Sequence, residues 1–261
     1  MEIGLIGCGN MARALARGWG RPVLCADPVA ERARGLAAEV GGEALASNSE
    51  VAARAELLVL CHKPAQLAGV AVEIGDGTTP VASILAVTPL EALRTAYPGR
   101  PVYRFIPSLP VEVRQGAVVQ AAGPGKLDDD GAGGSDPALD AAVAELFAEL
   151  GTLVVLDDAL LDVATGLMSC APAYVALVAE AQVDAGVRRG IPALQGAQLV
   201  VQTLAGTAEL LRRREYDTMA VRREVSSPGG LTARGVDALE RAGLRRAFSD
   251  ALDAVLDGGK R

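Results

Sequence analysis

Residues 1–20, MEIGLIGCGNMARALARGWG, begin with a short apolar run, 2–6, which is followed by Gly7, Gly9 and Ala12 in the spacing G-x-G-x-x-A. Apolar residues then recur at helical spacing, so the glycines fall on a turn between a strand and a helix. In a dinucleotide-binding fold the first glycine makes this turn, the second lets the backbone approach a pyrophosphate, and a small third residue lets helix and strand pack closely. The helix N-terminus then faces the phosphates. The stretch predicts a dinucleotide-binding domain.

Asp27 is the expected partner of this turn. It lies 20 residues after Gly7 and closes a second apolar run, 22–26, where an acidic side chain can accept hydrogen bonds from the adenosine ribose. A carboxylate there repels a 2′-phosphate and favours NADH over NADPH, although Arg32 and Arg34 oppose this effect if either side chain reaches back. The alternative is an ordinary strand-to-helix turn with a solvated aspartate, but the glycine spacing favours the dinucleotide site.

The composition limits both the core and the partners. Hydrophobic residues make up 50% of the 261 residues and aromatic residues only 3%, so Ala, Val and Leu must form most of the core. The net charge of −7, without a long basic block, argues against nucleic acid as a partner. The four cysteines have neither metal-site nor C-x-x-C spacing, so we expect reduced thiols and no metal. No basic and apolar leader opens the sequence, which predicts a cytoplasmic protein.

Apolar runs alternate with helical segments from residue 2 to residue 86, which is typical of parallel strands joined by crossover helices on both faces of a sheet. Strands are predicted over 57–61, 81–85, 102–106 and 153–156, and helices over 64–74, from Pro89, and over 138–150. The Gly- and Asp-rich segment 123–137 is predicted to be a surface loop. We place a domain boundary after residue 157, which gives an α/β domain, 1–157, and a second domain, 158–261.

The second domain is predicted to be all helical, with helices from Pro172 to about 189, from Pro192 to about 214, and from residues 231 and 244. The stretch 191–208 contains no charged residue. A membrane span is the rival interpretation, but three glutamines, a proline and two glycines suit a span poorly. A helix that is apolar on nearly all sides is buried all round, which a domain of this size cannot achieve alone. We therefore expect an intimate dimer and no membrane.

Reactive side chains are scarce in this sequence. His62 is the single histidine, and Lys63 is the only lysine outside the 123–137 loop and the C-terminus. With Pro64 they form a loop at the carboxyl end of a predicted strand, which is the side on which such sheets bind ligands. His62 taken alone is typical of a polar strand end, and neither a Ser-His-Asp arrangement nor a histidine-rich metal site is expected. Hydride transfer fits better, because the nicotinamide performs the difficult chemistry and the protein orients the reactants.

The stretch 225–232, VSSPGGLT, joins two predicted helices and places Thr232 in the first turn of the second. A Ser- and Gly-rich approach to a helix N-terminus can present the backbone N–H groups of Gly229, Gly230 and Leu231 to a carboxylate. The same composition also suits a plain turn between two helices. The residues alone leave these two interpretations equal.

Taken together, these motifs resemble the pyrroline-5-carboxylate reductase family over nearly the whole chain. The resemblance rests on GLIGCGNMARAL at the start, Lys63-Pro64, RFIPSLP over 104–110, TGL over 165–167, APAYVALVAEAQVDAGVRRGIP over 171–192, and VSSPGGLTARGVDALERAGLRRAF over 225–248. It implies a Rossmann-type dinucleotide-binding domain followed by an all-helical dimerisation domain. It also implies reduction of a cyclic imino acid, first of all 1-pyrroline-5-carboxylate to proline, by NADH or NADPH, in intertwined homodimers that can assemble further.

The motifs and the resemblance together assign site residues. By resemblance, the turn near the C-terminus holds the substrate carboxylate and ring, with Thr232 as the catalytic residue and with sites completed across the dimer. The substrate-binding residues are Ser227, Gly229, Gly230, Leu231, Thr232, Ser108, Ser169 and Cys170. The cofactor-binding residues are Gly7, Gly9, Asn10, Met11, Ala12, Asp27, His62, Lys63 and Pro64.

Two segments depart from the family pattern. IPSLP over 106–110 stands where the family has Met-Pro-Asn-Thr-Pro, and MSCA over 168–171 stands where it has Ser-Gly-Ser-Gly. Both segments line the reaction centre in the family, which leaves open a reductase of a different cyclic imine or a non-catalytic nucleotide-binding paralogue. A β-hydroxyacid dehydrogenase is disfavoured, because no lysine lies between Lys126 and Lys260 to serve as its catalytic lysine.

Overall fold

The computed structural model describes residues 1–123 and 136–258. The segment 123–137, predicted to be a surface loop, lies almost wholly outside these ranges. The chain forms two compact units, Met1–Pro172 and Ala173–Arg261. The domain boundary predicted after residue 157 precedes this division and stays a prediction.

Within the described residues, eight strands of the first unit form one sheet. They are β1 Ile3–Ile6, β2 Leu24–Ala26, β3 Glu43–Ala44, β4 Leu57–Leu60, β5 Val81–Ser83, β6 Val102–Pro107, β7 Gly116–Ala121 and β8 Gly151–Leu156. Their order across the sheet is β3-β2-β1-β4-β5-β6-β7-β8. All neighbouring pairs are parallel except β6 and β7. This is the Rossmann-type sheet that the sequence predicts, with two additional strands at one edge.

The strand pairs within residues 2–86 are parallel, as the sequence predicts, and the one antiparallel pair among the described strands, β6 with β7, lies beyond that range. Phe105 pairs with Gln120 and Pro107 with Val118. Only a short 3-10 turn, Leu109–Val113, joins the two strands. A connection of this length can return the chain antiparallel, whereas a parallel neighbour needs a crossover of a dozen or more residues.

The helices connect these strands and form most of the second unit. They are α1 Asn10–Trp19, α2 Ala30–Val40, α3 Asn48–Arg54, α4 Leu67–Ile74, α5 Leu90–Ala96, α6 Pro137–Ala148, α7 Leu161–Ala164, α8 Ala171–Val187, α9 Ala193–Arg213, α10 Thr218–Val225, α11 Leu231–Arg241 and α12 Leu244–Gly258. A 3-10 turn, Asp158–Leu160, precedes α7, and a π-helical segment, Thr165–Ser169, joins α7 to α8. The prediction of a helical C-terminal region is confirmed.

The core lies on both faces of the sheet, because alternate strand residues point to opposite sides. Leu5 of β1 packs in one cluster with Trp19 and Phe147, and Ile6 packs in the other with Leu93. Burial on both faces explains why these strands read as unbroken apolar runs. Cys8 and Cys25 also fill the first cluster. A hydrogen bond with the Cys25 thiol and burial raise the pKa of Cys8 well above its ordinary value, so this thiol stays neutral.

Within the described residues, the stretch Asp158–Val187 is long and apolar enough to cross a membrane by length and composition alone, with a mean hydropathy of 1.5 over an 18-residue window. It precedes the charge-free stretch 191–208, for which a membrane span is the rival interpretation of the sequence. An apolar helix of a soluble oligomer passes the same test, so this stretch alone does not assign a membrane.

The helices of the second unit expose much apolar surface in the single chain. On α9, Leu194 is 70% exposed, Leu199 62% and Val201 60%. One chain therefore does not bury this helix all round, which is what the sequence predicts for a helix that only a dimer can enclose. The few helices of the unit offer too little surface to enclose it.

Candidate functional site

The glycine turn brings the ends of β1 and β4 together. Gly7 adopts a φ of +96°, and a Cβ on it would lie 3.0 Å from the backbone of Cys61 and His62. Its N–H donates to the carbonyl of Ala26 at 2.8 Å. Only glycine combines this left-handed backbone with so close an approach.

Helix α1 opens directly from this turn. Gly9 is its N-cap and offers no side chain to the first N–H groups, which have no partner within the helix. Ala12 is 1% exposed and packs in the core, as its small side chain predicts. The N-terminus of α1 therefore presents free donors and the positive end of its dipole to whatever lies before it.

Asp27 links the glycine turn to the end of β2. One carboxylate oxygen accepts the N–H of Cys8 at 2.8 Å, and the other accepts the N–H of Val29 at 2.8 Å. Each oxygen can accept a further hydrogen bond, so the carboxylate remains able to bind ribose hydroxyls while it holds the turn. Arg34 is paired with Glu31 at 2.7 Å.

The loop at the end of β4 forms the opposite wall. Nδ1 of His62 lies 2.9 Å from the carbonyl oxygen of Lys63, and because a carbonyl only accepts, Nδ1 carries the proton. Burial lowers the pKa of His62, which leaves the ring neutral with Nε2 as an acceptor. Within the described residues Nε2 is buried without a partner. Pro64 begins a 3-10 turn, and Lys63 is exposed.

These elements enclose a cleft of about 440 Å³. The predicted cofactor residues that border it are Gly7, Gly9, Asn10, Met11, Asp27, His62 and Lys63, whereas Ala12 and Pro64 do not border it. Arg32 and Gln66 also border the cleft. The arrangement provides anion donors at one end and a ribose acceptor at the other, which is what a dinucleotide requires.

Asn48 and Glu73 border hollows beside this cleft and were missed in the sequence. The pattern Ser-Asn-Ser-Glu over 47–50 resembles a capping box and could have located Asn48 at a helix start. Ser47 indeed caps α3 by accepting the N–H of Glu50. No sequence signal joins Asn48 to Glu73, because the two residues meet only in the folded chain.

The 226–232 turn lies in the second unit, between α10 and α11. Gly229 has a φ of +69°, and Thr232 and Leu231 are exposed in the first turn of α11. The N–H of Gly230 donates to the carbonyl of Ser227 at 3.0 Å. The expectation that this N–H is available to a carboxylate is therefore wrong, because it closes the turn itself.

Three further predicted substrate residues lie in the first unit. The hydroxyl of Ser108, 3% exposed, accepts the N–H of Ala117 at 2.9 Å. The hydroxyl of Ser169 donates to the carbonyl of Pro107 at 3.0 Å. Ser169 and the half-buried Cys170 thus adjoin the end of β6, where Ser108 also lies. In the ranges 1–123 and 136–258, no three His, Cys, Asp or Glu side chains group as a metal site.

Comparisons with known proteins identify the family. A model of pyrroline-5-carboxylate reductase dimerisation matches residues 158–261, and a model of NADP oxidoreductase, coenzyme F420-dependent, matches residues 2–87. Pyrroline-5-carboxylate reductase of Synechocystis sp. is 32% identical, over 98% of this chain and 96% of the relative. That of Thermus thermophilus is 34% identical, over 99% and 97%. The solved 1-pyrroline-5-carboxylate reductase of Streptococcus pyogenes is 27% identical and has a TM-score of 0.86, over 100% of this chain and 98% of that one. The chain belongs to the pyrroline-5-carboxylate reductase family.

Proposed function

We propose that the protein reduces a cyclic imino acid with NAD(P)H, and that its first substrate is 1-pyrroline-5-carboxylate, which becomes proline. The observation that carries this proposal is 32% and 34% identity, over nearly the whole chain, to two pyrroline-5-carboxylate reductases. When bound, the reduced nicotinamide supplies a hydride to the imine carbon. A protonated imine already carries positive charge, so the reaction requires little acid–base help from side chains. The scarcity of histidine and lysine agrees with this chemistry.

In this proposal the first unit holds the cofactor. The glycine turn and the N–H groups of Asn10 and Met11 bind the pyrophosphate, and Ala12 keeps helix and strand close. Asp27 binds the ribose hydroxyls, and the 62–64 loop forms the facing wall of the cleft. These roles are supported by the cleft that the same residues border.

The 226–232 turn is assigned to the substrate carboxylate. The hydroxyl of Ser227 and the backbone N–H of Leu231 bind it, while Gly229 and Gly230 permit the shape of the turn. The hydroxyl of Thr232 contacts the ring nitrogen or its neighbouring atoms. Ser108, Ser169 and Cys170 border the ring. Support comes from the exposure of Thr232 and Leu231 at a helix N-terminus.

We infer a preference for NADH from Asp27, whose carboxylate repels a 2′-phosphate. Asp27→Asn should raise kcat/KM for NADPH relative to NADH by about tenfold, a change of roughly 1.4 kcal/mol. Arg34→Ala is a matched control because Arg34 is engaged by Glu31. A preference of the native protein for NADPH by about tenfold contradicts this inference.

The proposed assembly is an intertwined homodimer, with 1–157 as the cofactor domain and 158–261 as the dimerisation domain. The dimerisation model that matches the C-terminal region and the exposed apolar face of α9 support it. We also propose a cytoplasmic location without nucleic-acid or membrane partners, which the net charge of −7 supports for nucleic acid.

A second candidate function is reduction of a different cyclic imine. It is favoured by the side chains that Ser169 and Leu109 place at the end of β6, where the family pattern has glycine and threonine. A lost or unpaired polar contact changes discrimination between substrates by about 1–3 kcal/mol. Restoring glycine at 169 and 171, with asparagine at 108 and threonine at 109, should then raise activity on 1-pyrroline-5-carboxylate.

The test is oxidation of NADH and NADPH in the presence of five- and six-membered cyclic imino acids, with proline measured as the product from 1-pyrroline-5-carboxylate. We expect turnover and proline formation. Turnover confined to another ring selects the second candidate. Cofactor binding without turnover on any of these imines identifies a non-catalytic paralogue and overturns the proposal.

A further inference from the structure

The cofactor cleft continues into two smaller hollows, of about 260 and 330 Å³. Pro28 borders the cleft and both hollows, so the three spaces meet just beyond the end of β2. With the phosphates at the glycine turn and a ribose at Asp27, the adenosine end of a dinucleotide lies here. The hollows are therefore the place where a 2′-phosphate distinguishes NADPH from NADH.

Glu73 of α4 borders both hollows. Its Oε2 accepts a hydrogen bond of 2.5 Å from the side-chain Nδ2 of Asn48, the first residue of α3. Asn48 also borders both hollows. The glutamate therefore fixes a neighbouring amide whose remaining oxygen and N–H are complementary to the hydroxyls and ring nitrogens of a nucleoside.

The charge around the hollows is negative. Asp27 and Glu73 border the larger one, and no Arg or Lys of the described chain does so. Glu73 and His62, a neutral ring, border the smaller one. Arg32 borders only the main cleft. A 2′-phosphate entering from the ribose at Asp27 would meet two carboxylates at this end.

We propose that Glu73 is a cofactor-specificity residue: with Asp27 it makes the adenosine end of the cleft anionic, which admits a ribose 2′-hydroxyl and disfavours a 2′-phosphate, and it holds Asn48 in position. This inference rests on the proposed cofactor site but not on the imine. Across a hollow of this size, one carboxylate acting on a doubly charged phosphate changes its binding by about fivefold to tenfold. Added salt weakens the effect, because the hollows are open to solvent.

The deciding variant is Glu73→Gln, which keeps the size of the side chain and an oxygen for the Asn48 amide but removes the charge. The full-length protein is titrated with NADH and with NADPH, without any imine, and binding is followed by nicotinamide fluorescence. The dissociation constant for NADPH should fall by about fivefold or more at low salt, and that for NADH should stay within about twofold. In about 0.5 M salt the difference should shrink.

Two further variants complete the test: a control at another glutamate, and a variant that separates the charge of Glu73 from its hydrogen bond to Asn48. Glu91→Gln changes an exposed glutamate in the first turn of the neighbouring α5 and should alter neither constant. Glu73→Ala removes both the charge and the hydrogen bond to Asn48, so it should weaken NADH binding. Glu73→Gln keeps the hydrogen bond and should leave NADH binding unchanged.

The proposal is overturned if folded Glu73→Gln leaves the ratio of the two constants within about twofold of the native ratio at low salt. Failure of the native protein to bind either cofactor overturns the cofactor site and this inference together. Failure to reduce an imine affects neither, since no imine is present.

Discussion

At the scale of single residues, the two glycines of the 226–232 turn have different functions. Gly229 adopts the left-handed conformation, whereas Gly230 makes room for a neighbour: a Cβ on it would lie 2.4 Å from Oγ of Ser227. Its N–H is already bonded to Ser227. The donors left for an anion are therefore those of the first turn of α11, which have no partner within the helix.

Gly230→Ala should consequently displace Ser227 and lower kcat/KM for the imine, while NADH binding in the first unit stays unchanged. Gly235→Ala is the matched control, because no atom lies within 4 Å of its added Cβ and the position is inside α11. There alanine should raise the free energy of unfolding by about 1 kcal/mol and leave activity intact. If both variants have the kcat and KM of the native protein, the turn only connects two helices and does not bind the substrate.

Thr232 is tested by removing its hydroxyl without changing its shape. Thr232→Val should lower kcat/KM by about 0.5–1.5 kcal/mol if the hydroxyl contacts a neutral group, and by more if the contact is to a charged ring nitrogen. Thr232→Ser keeps the hydroxyl and should retain most of the activity. If the valine variant matches the native protein in both kcat and KM, Thr232 has no part in the reaction.

At the scale of elements, Arg104 links β6 to the 3-10 turn Asp158–Leu160 and to α7. The side chain is 2% exposed, and its guanidinium donates to carboxylates of Asp158 at 2.9 Å and of Asp162 at 2.8 Å. Asp158 also accepts the N–H of Leu90 at 3.0 Å, at the start of α5. Three elements of the first unit thus meet at one ion-pair cluster.

Removing this arginine should leave two carboxylates uncompensated. Arg104→Met is expected to lower the free energy of unfolding by about 3 kcal/mol, the lower end for breaking a buried pair, because both carboxylates are partly exposed. The stability of Arg104→Lys should lie between that of the native protein and that of Arg104→Met, since an ammonium cannot bind both carboxylates as the guanidinium does. Urea titration measures the free energy of unfolding of all these variants. Arg34→Met, which breaks an exposed pair with Glu31, should lower it by less than about 1 kcal/mol.

The elements also show how far the sequence could be read. The apolar runs predicted β1, β2, β4, β5 and β6, because strands covered on both faces are apolar throughout. The run 153–156 likewise predicted β8. β3, β7 and α10 were missed, since a two-residue strand, a short apolar run such as GAVVQA and an eight-residue helix carry little periodic signal. Strand direction is not encoded in such a run, so the antiparallel pairing could be inferred only from the short β6–β7 connection.

The candidate site divides in the same way. Gly7, Gly9 and Asp27 could be located because their spacing is set by one local strand–turn–helix unit. Two hydrogen bonds could not be predicted: that of the Gly230 N–H to Ser227 and that between Asn48 and Glu73. Both depend on side-chain and backbone geometry that composition does not fix. Such contacts require the folded chain.

At the scale of the whole molecule, α9 is one of the helices of the second unit that the single chain leaves largely uncovered. Leu194, Leu199 and Val201 of this helix are at least 60% exposed, and the stretch 191–208 has no charge to solvate it. Contiguous apolar surface of this kind marks an association site. The family's dimerisation model spans the same region, so we expect a second copy of the chain to cover this face.

Leu199→Arg should break that contact. Leu199 is 62% exposed in the single chain, and an arginine placed there would lose its hydration if a partner helix packs on it. Sedimentation at low micromolar concentration should show the native protein as a dimer of 26.7 kDa chains, and the variant as monomer with a lower midpoint of thermal unfolding. Val72→Arg, an apolar position of α4 that is 82% exposed, is the matched control and should leave the dimer intact. A native protein that sediments as a stable monomer contradicts the argument, and an unchanged dimer in Leu199→Arg moves the interface away from α9.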